Sequence, residues 1–215
     1  MIIIGIQFSE VGGDEDGILF DSIKGDFVDY DNIQRSYTNP KGRTALRDYY
    51  YFTKEGGFDN TGWHDENWDY IGDTEYFPRG MGAWFSGDDG PKNVTHSGEV
   101  KKGHFIHTFT DPMTFTCSAY PTAFKPNSAN VSWLGVGDYD NIQIAYTKPN
   151  GRTALRDFYY FTVDGGFEAD AWYDEDWSLL DADAVVAGPG EGFWFSPNDP
   201  ASATFTEVSP LGDVD

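Results

Sequence analysis

Residues 30–53 read YDNIQRSYTNPKGRTALRDYYYFT and recur at 139–162 as YDNIQIAYTKPNGRTALRDFYYFT. The blocks lie 109 residues apart and agree at 19 of 24 positions. A recurrence of this kind constrains the fold more than any bulk property, because both copies must bury the same apolar positions in the same way. It predicts one module written twice, with units at 1–100 and 101–215.

Each block predicts a β-hairpin. Ile142, Ile144 and Tyr146 alternate with Gln143, Ala145 and Thr147, the period of a half-buried strand. Lys148-Pro149-Asn150-Gly151 has turn chemistry, and the run from Arg152 to Thr162 is rich in strand formers. Leu155, Tyr159 and Phe161 share a face with Asp157, which predicts a bulge near Asp157. Arg35 stands where the second copy has Ile144, so that face should reach solvent or an acidic partner.

The copies continue in parallel. A Trp-x-Asp-Glu-x-Trp frame occurs at Trp63–Trp68 and Trp172–Trp177, and Gly80–Ser86 matches Gly190–Ser196. The paired glycines predict a tight bend ahead of Trp84 and Trp194. No stretch holds a helical period. The expected fold is all-β and antiparallel, two tandem homologous modules, each a β-sandwich or a small barrel. Gly103–Thr110 reads as a strand leading into the second module, and nothing ahead of Met1 plays that part for the first. The first module is therefore expected to lack an edge strand. Ile2, Ile4, Ile6 and Phe8 of the leading strand, and Ser209, Leu211 and Val214 of the tail, are the assembly candidates.

The formal charge of −22 disfavours nucleic acid and anionic membrane surfaces, which need clustered Lys and Arg. No apolar run is long enough to insert in a membrane. Cys117 is the single cysteine, so no disulfide or zinc cluster forms within the chain, and a buried thiol is expected. No nucleophile elbow, phosphate loop or paired catalytic set occurs, and no enzymatic activity is expected. The turns at His64-Asp65-Glu66 and Asp174-Glu175-Asp176 carry enough carboxylates to take a hard cation such as calcium. Solvated turns are the simpler account, because acidic residues are so common in this chain that such clusters arise by chance, and no cofactor is expected. Trp63, Trp68, Trp172 and Trp177 flank these turns and are the glycan-binding candidates.

The YDNIQ strand, the Trp-x-Asp-Glu-x-Trp frame and the Gly-x-Gly-x-Trp-Phe-Ser strand together resemble exported tandem-repeat β-proteins of Gram-negative bacteria, over nearly the whole chain. The resemblance implies an extracellular or cell-surface place and supplies no catalytic residues. The leading expectation is a structural protein that self-assembles with copies of itself by pairing strand edges into a filament or layer; the alternative is a carbohydrate-binding module using exposed Trp and Tyr, and a hydrolase depending on Asp65 or Asp174 ranks last.

Overall fold

The structure is a computed structural model describing residues 2–7, 17–90, 92–95, 98–109, 111–198 and 203–212, with side chains described from Ile4 onward. The first half contributes β1 (Ile2–Gly5), β2 (Gly17–Leu19), β3 (Lys24–Gly25), β4 (Asn32–Thr38), β5 (Thr44–Phe52), β6 (Gly62–His64), β7 (Tyr76–Pro78), β8 (Gly82–Ser86) and β9 (Val94–Thr95). The second contributes β10 (His104–Thr108), β11 (Thr114–Cys117), β12 (Val131–Leu134), β13 (Asn141–Thr147), β14 (Thr153–Phe161), β15 (Ala171–Tyr173), β16 (Gly192–Ser196) and β17 (Thr204–Val208). Among the described residues the only helical element is a 3-10 turn at Phe20–Ser22.

The duplication is visible in the sheets. One five-stranded sheet runs β1-β8-β4-β5-β6 and its counterpart β11-β16-β13-β14-β15. Among the described residues the pairings are antiparallel and no sheet closes into a barrel, so the fold is all-β and sandwich-like. In the second half a three-stranded sheet, β10-β17-β12, covers the core face of the large sheet. In the first half that place is taken by two short pairs, β2-β7 and β3-β9. The buried apolar residues form two clusters, one per half. Ile33, Tyr49, Trp63, Phe77 and Phe85 belong to the first, and Ile142, Phe158, Trp172, Phe195 and Phe205 to the second.

The hairpin ladder is continuous from Asn141↔Tyr159 to Thr147↔Thr153, so no bulge occurs at Asp157. Asp157 lies on the outer face, where it accepts hydrogen bonds from Asn141 and Gln143, and an exposed face needs no apolar alternation. Arg35 is half-buried, so its face reaches solvent as expected, while its guanidinium lies over the Tyr49 and Phe77 rings. Gly80 and Gly190 both take φ of +78°, the tight bend read from the sequence.

The halves meet through equivalent elements. Ile3 pairs with Trp84 and Phe115 with Trp194, which equates Ile4 with Thr116, Gly5 with Cys117, Gly80 with Gly190 and Met81 with Glu191. The bridges between the halves are Ile4↔Glu191 and Met81↔Thr116, the same pair with the halves exchanged. The amide of Gly5 donates to the carbonyl of Gly190 at 2.9 Å, and that of Cys117 to Gly80 at 3.0 Å. The Trp84 and Trp194 rings touch across the middle, 6.0 Å between centroids. A contact whose partners swap in this way has a twofold axis, as in an isologous dimer. Gly5 and Cys117 face each other at that axis, and a Cβ on Gly5 would lie 2.8 Å from Sγ of Cys117 and closer still to its Cβ.

This contact corrects the edge expected at β1. Ile4 and Ile6 are buried, and the outer side of β1 is taken by residues 190 and 191 of the same chain. Ser209 is also buried, its amide donating to Gly103, while Leu211 is exposed. Phe8, Val214 and the side chain of Ile2 lie outside the described residues.

Candidate binding surface

Cross-strand partners share a face, so Asn32, Gln34, Asp48, Tyr50, Phe52 and His64 stand together on the side of the large sheet away from the core. Phe52 is the hub of an aromatic platform there. Phe58 stacks on it at 3.9 Å, Tyr30 meets it edge-on at 5.2 Å, and Trp68 at 5.3 Å. The second half repeats the arrangement: Phe167 at 3.8 Å, Tyr139 at 5.2 Å and Trp177 at 5.0 Å from Phe161.

The outermost rings are well exposed: Tyr30 61%, Trp68 52%, Tyr139 64% and Trp177 51%. The same four are the only non-glycine residues with positive φ among those described, at 72°, 69°, 69° and 63°. A left-handed backbone costs an L-residue about 1–2 kcal/mol, and such residues concentrate where a side chain must be aimed.

Local turn chemistry holds them there. Tyr30 sits between Asp29, which accepts from the amide of Thr53 at 2.7 Å, and buried Asp31, which accepts from the amides of Val28 and Asp88 at 2.9 and 2.8 Å. Asp138 and Asp140 do the same around Tyr139, accepting from Thr162, Gly137 and Asn198. Two anchored carboxylates close the turn on itself and tie two distant chain segments to it, and the ring between them is turned outward. Trp68 is held by Asp65, whose Oδ1 accepts from the amides of Asn67 and Asp69. Asp174 closes the matching turn on Asp176 and Ser178. The leading carboxylate of each acidic turn is thus engaged with its own backbone. Among the described residues no group of three or more His, Cys, Asp or Glu gathers around one point.

A polar strip borders each platform. Asp48 accepts from Asn32 at 3.1 Å and Gln34 at 2.7 Å, both on Oδ1, and Asp157 accepts from Asn141 and Gln143 at 3.2 and 2.6 Å. Partial burial, with Asp48 and Glu66 close by, raises the pKa of the Tyr50 phenol, and Tyr159 is raised likewise beside Asp157 and Glu175. Both phenols therefore stay protonated donors at neutral pH.

Of the four tryptophans named from the sequence, the structure brings Trp68 and Trp177 to the platforms. Trp63 and Trp172 are wholly buried in the two cores, where no sugar can reach them. They lie on the opposite face because β6 and β15 pair Trp63 with Tyr51 and Trp172 with Tyr160, whose rings point inward. Sequence reasoning missed Tyr30 and Tyr139. The available signal was the Asp-Tyr-Asp triplet in each copy, whose flanking acids leave the ring nowhere to go but out.

A concavity of about 630 Å³ in the second half is lined by Tyr120, Asn130 and Glu207 and lies apart from the platforms. Its carboxylate belongs to the contact between the halves: Oε2 of Glu207 accepts from the amide of Ala119 at 2.6 Å, and Arg79 donates to the Ala119 carbonyl at 3.3 Å. Burial pushes Glu207 up to about 7, against the pull of Ala119, Ser118 and Arg79.

Compared with known protein families, curated proteins and solved structures, the chain matches none.

Proposed function

We propose that the chain is a non-enzymatic extracellular or cell-surface protein that binds neutral glycans on its two platforms. The observation carrying this reading is the coincidence of exposure and left-handed backbone at Tyr30, Trp68, Tyr139 and Trp177. The C–H face of a sugar ring packs on a flat exposed aromatic, and its hydroxyls reach amide and carboxylate groups beside it. The Asp48 and Asp157 strips offer such groups. A charge of −22 favours neutral over polyanionic chains.

Affinity gels carrying hydroxyethylcellulose, xyloglucan, galactomannan or laminarin test it. At least one should retard the chain. The Trp68→Gly/Trp177→Gly double variant should lose at least about tenfold in affinity, since a stacked anchor ring contributes more than 1 kcal/mol. It should keep its melting temperature, since glycine relieves the left-handed backbone at both sites. Migration unaffected by all four polymers would sink the reading.

A second reading, self-assembly into a filament or layer, rests on the outer edge of β10. The amide of Phe109 donates to Ala203 and that of Ser209 to Gly103, so the odd residues of β10 face β17. By alternation, Ile106 and Thr108 turn their backbone groups outward, and the Ile106 side chain is 64% exposed. Neither proline nor charge guards this edge. Light scattering should show oligomers that vanish in Ile106→Pro, which removes an outward N–H and leaves the β17 pairing intact; monomers at every concentration would exclude it.

A further inference from the structure

The twofold contact between the halves has a consequence for how two platforms meet a polymer. Any two points related by a twofold axis are joined by a line perpendicular to that axis, and rotation reverses the direction of that line. A glycan chain is directional, with distinct reducing and non-reducing ends. A straight chain lying along the line through both platforms would therefore run one way over Trp68 and the opposite way over Trp177. The platforms share their ring geometry and polar strip, down to the single carboxylate oxygen used in each. Each therefore favours the same chain direction within its own frame. One straight strand cannot satisfy both.

The halves are also fixed relative to each other. Beyond the exchanged bridges and the Trp84–Trp194 contact, Gln7 accepts from the amide of Gly190 at 2.7 Å, Ser36 from that of Phe115 at 3.1 Å, and the Trp84 ring meets Phe115 edge-on at 5.9 Å. Bonds of this number and kind hold the platforms at one mutual orientation and prevent the half-turn that would align them.

We propose that the protein is a crosslinker: it holds two separate strands of a neutral polysaccharide, one per platform, joining them rather than gripping one chain twice. This rests on the glycan-binding reading and adds to it the number and arrangement of strands bound.

The full chain is titrated into dilute solutions of hydroxyethylcellulose, xyloglucan, galactomannan and laminarin while viscosity and scattered light are followed. With each polymer that retards the protein in gels, viscosity should rise to a maximum at an intermediate ratio and fall again when excess protein covers every strand singly. Trp68→Gly and Trp177→Gly, each keeping one platform, should still be retarded but should abolish the maximum. Short oligosaccharides of the same sugars should bind at two per chain and leave viscosity flat. Retardation without any viscosity maximum overturns crosslinking and leaves glycan binding standing. A maximum that survives in both single variants also overturns it, because the links would then come from elsewhere on the chain. Retardation by none of the polymers overturns both.

Discussion

The halves agree closely in what they display and differ in how they close their cores. On the platforms, Tyr30 and Tyr139 meet their hub phenylalanines at the same 5.2 Å and 82°, and Tyr50–Trp68 and Tyr159–Trp177 differ by 0.2 Å (5.7 and 5.5 Å). Behind the sheets the resemblance stops. The second half packs Trp133 against Trp172, Phe195 and Phe205 beneath a three-stranded lid. The first fills the same space with Phe20 against Tyr49, Trp63 and Phe77, and with Phe27 against Trp63. A core tolerates exchange of shape as long as volume and apolar character are kept. A displayed ring has no such freedom, because its position depends on the particular carboxylates that anchor its turn.

The largest test of this contrast sets buried against displayed tryptophans. Trp63→Ala and Trp172→Ala should each lower unfolding stability in urea by roughly 3–5 kcal/mol, whatever the different neighbours. Trp68→Ala and Trp177→Ala should cost less than about 1 kcal/mol, as surface changes do. If Trp68→Ala were as damaging as Trp63→Ala, the platform would be part of the core and the contrast would fail.

A smaller effect should separate the halves by pH. Glu207 belongs to the second half alone, and burial raises its pKa from an ordinary 4.5 to about 7. Below 4.5 it is protonated in both folded and unfolded chains. Between 4.5 and 7 the unfolded chain ionises and the folded one resists, so the stability that Glu207 contributes falls as pH rises. The total fall is on the order of 3 kcal/mol. His107, packed against Phe105, Phe109 and Phe205, is lowered by burial to about 4 and acts oppositely, costing stability as pH drops from 6.5 toward 4. Comparison with Glu207→Gln isolates the carboxylate: the difference in urea midpoint between native and variant should shrink from pH 4.5 to 7. A constant difference would mean that Glu207 is ionised in the folded chain throughout.

Much of the fold was legible because hairpins are written locally. The Pro-x-Gly turns, the alternating β4 and β13, and the Gly80 and Gly190 bends all rest on chemistry within a few residues. The platforms were half legible. The Trp-x-Asp-Glu-x-Trp frame flagged the right turns, yet only one tryptophan of each pair faces out. Choosing between them depends on the pairing of β6 with β5, a contact between strands ten residues apart in the chain. The bulge expected at Asp157 shows the same limit, since an acid in an apolar pattern reads as a fault until its face is known to be the outer one.

The sequence by itself determined that there are two copies, that they are built of antiparallel strands, and that certain turns throw an aromatic outward, because backbone preferences and Asp side-chain bonds act over short distances. Only the tertiary structure decided that β1 is buried against the other half, that Gly5 and Cys117 meet at an axis, and that the two platforms are related by a half-turn. Those depend on residues more than a hundred positions apart packing together, and no local pattern encodes which equal surfaces will be pressed against each other.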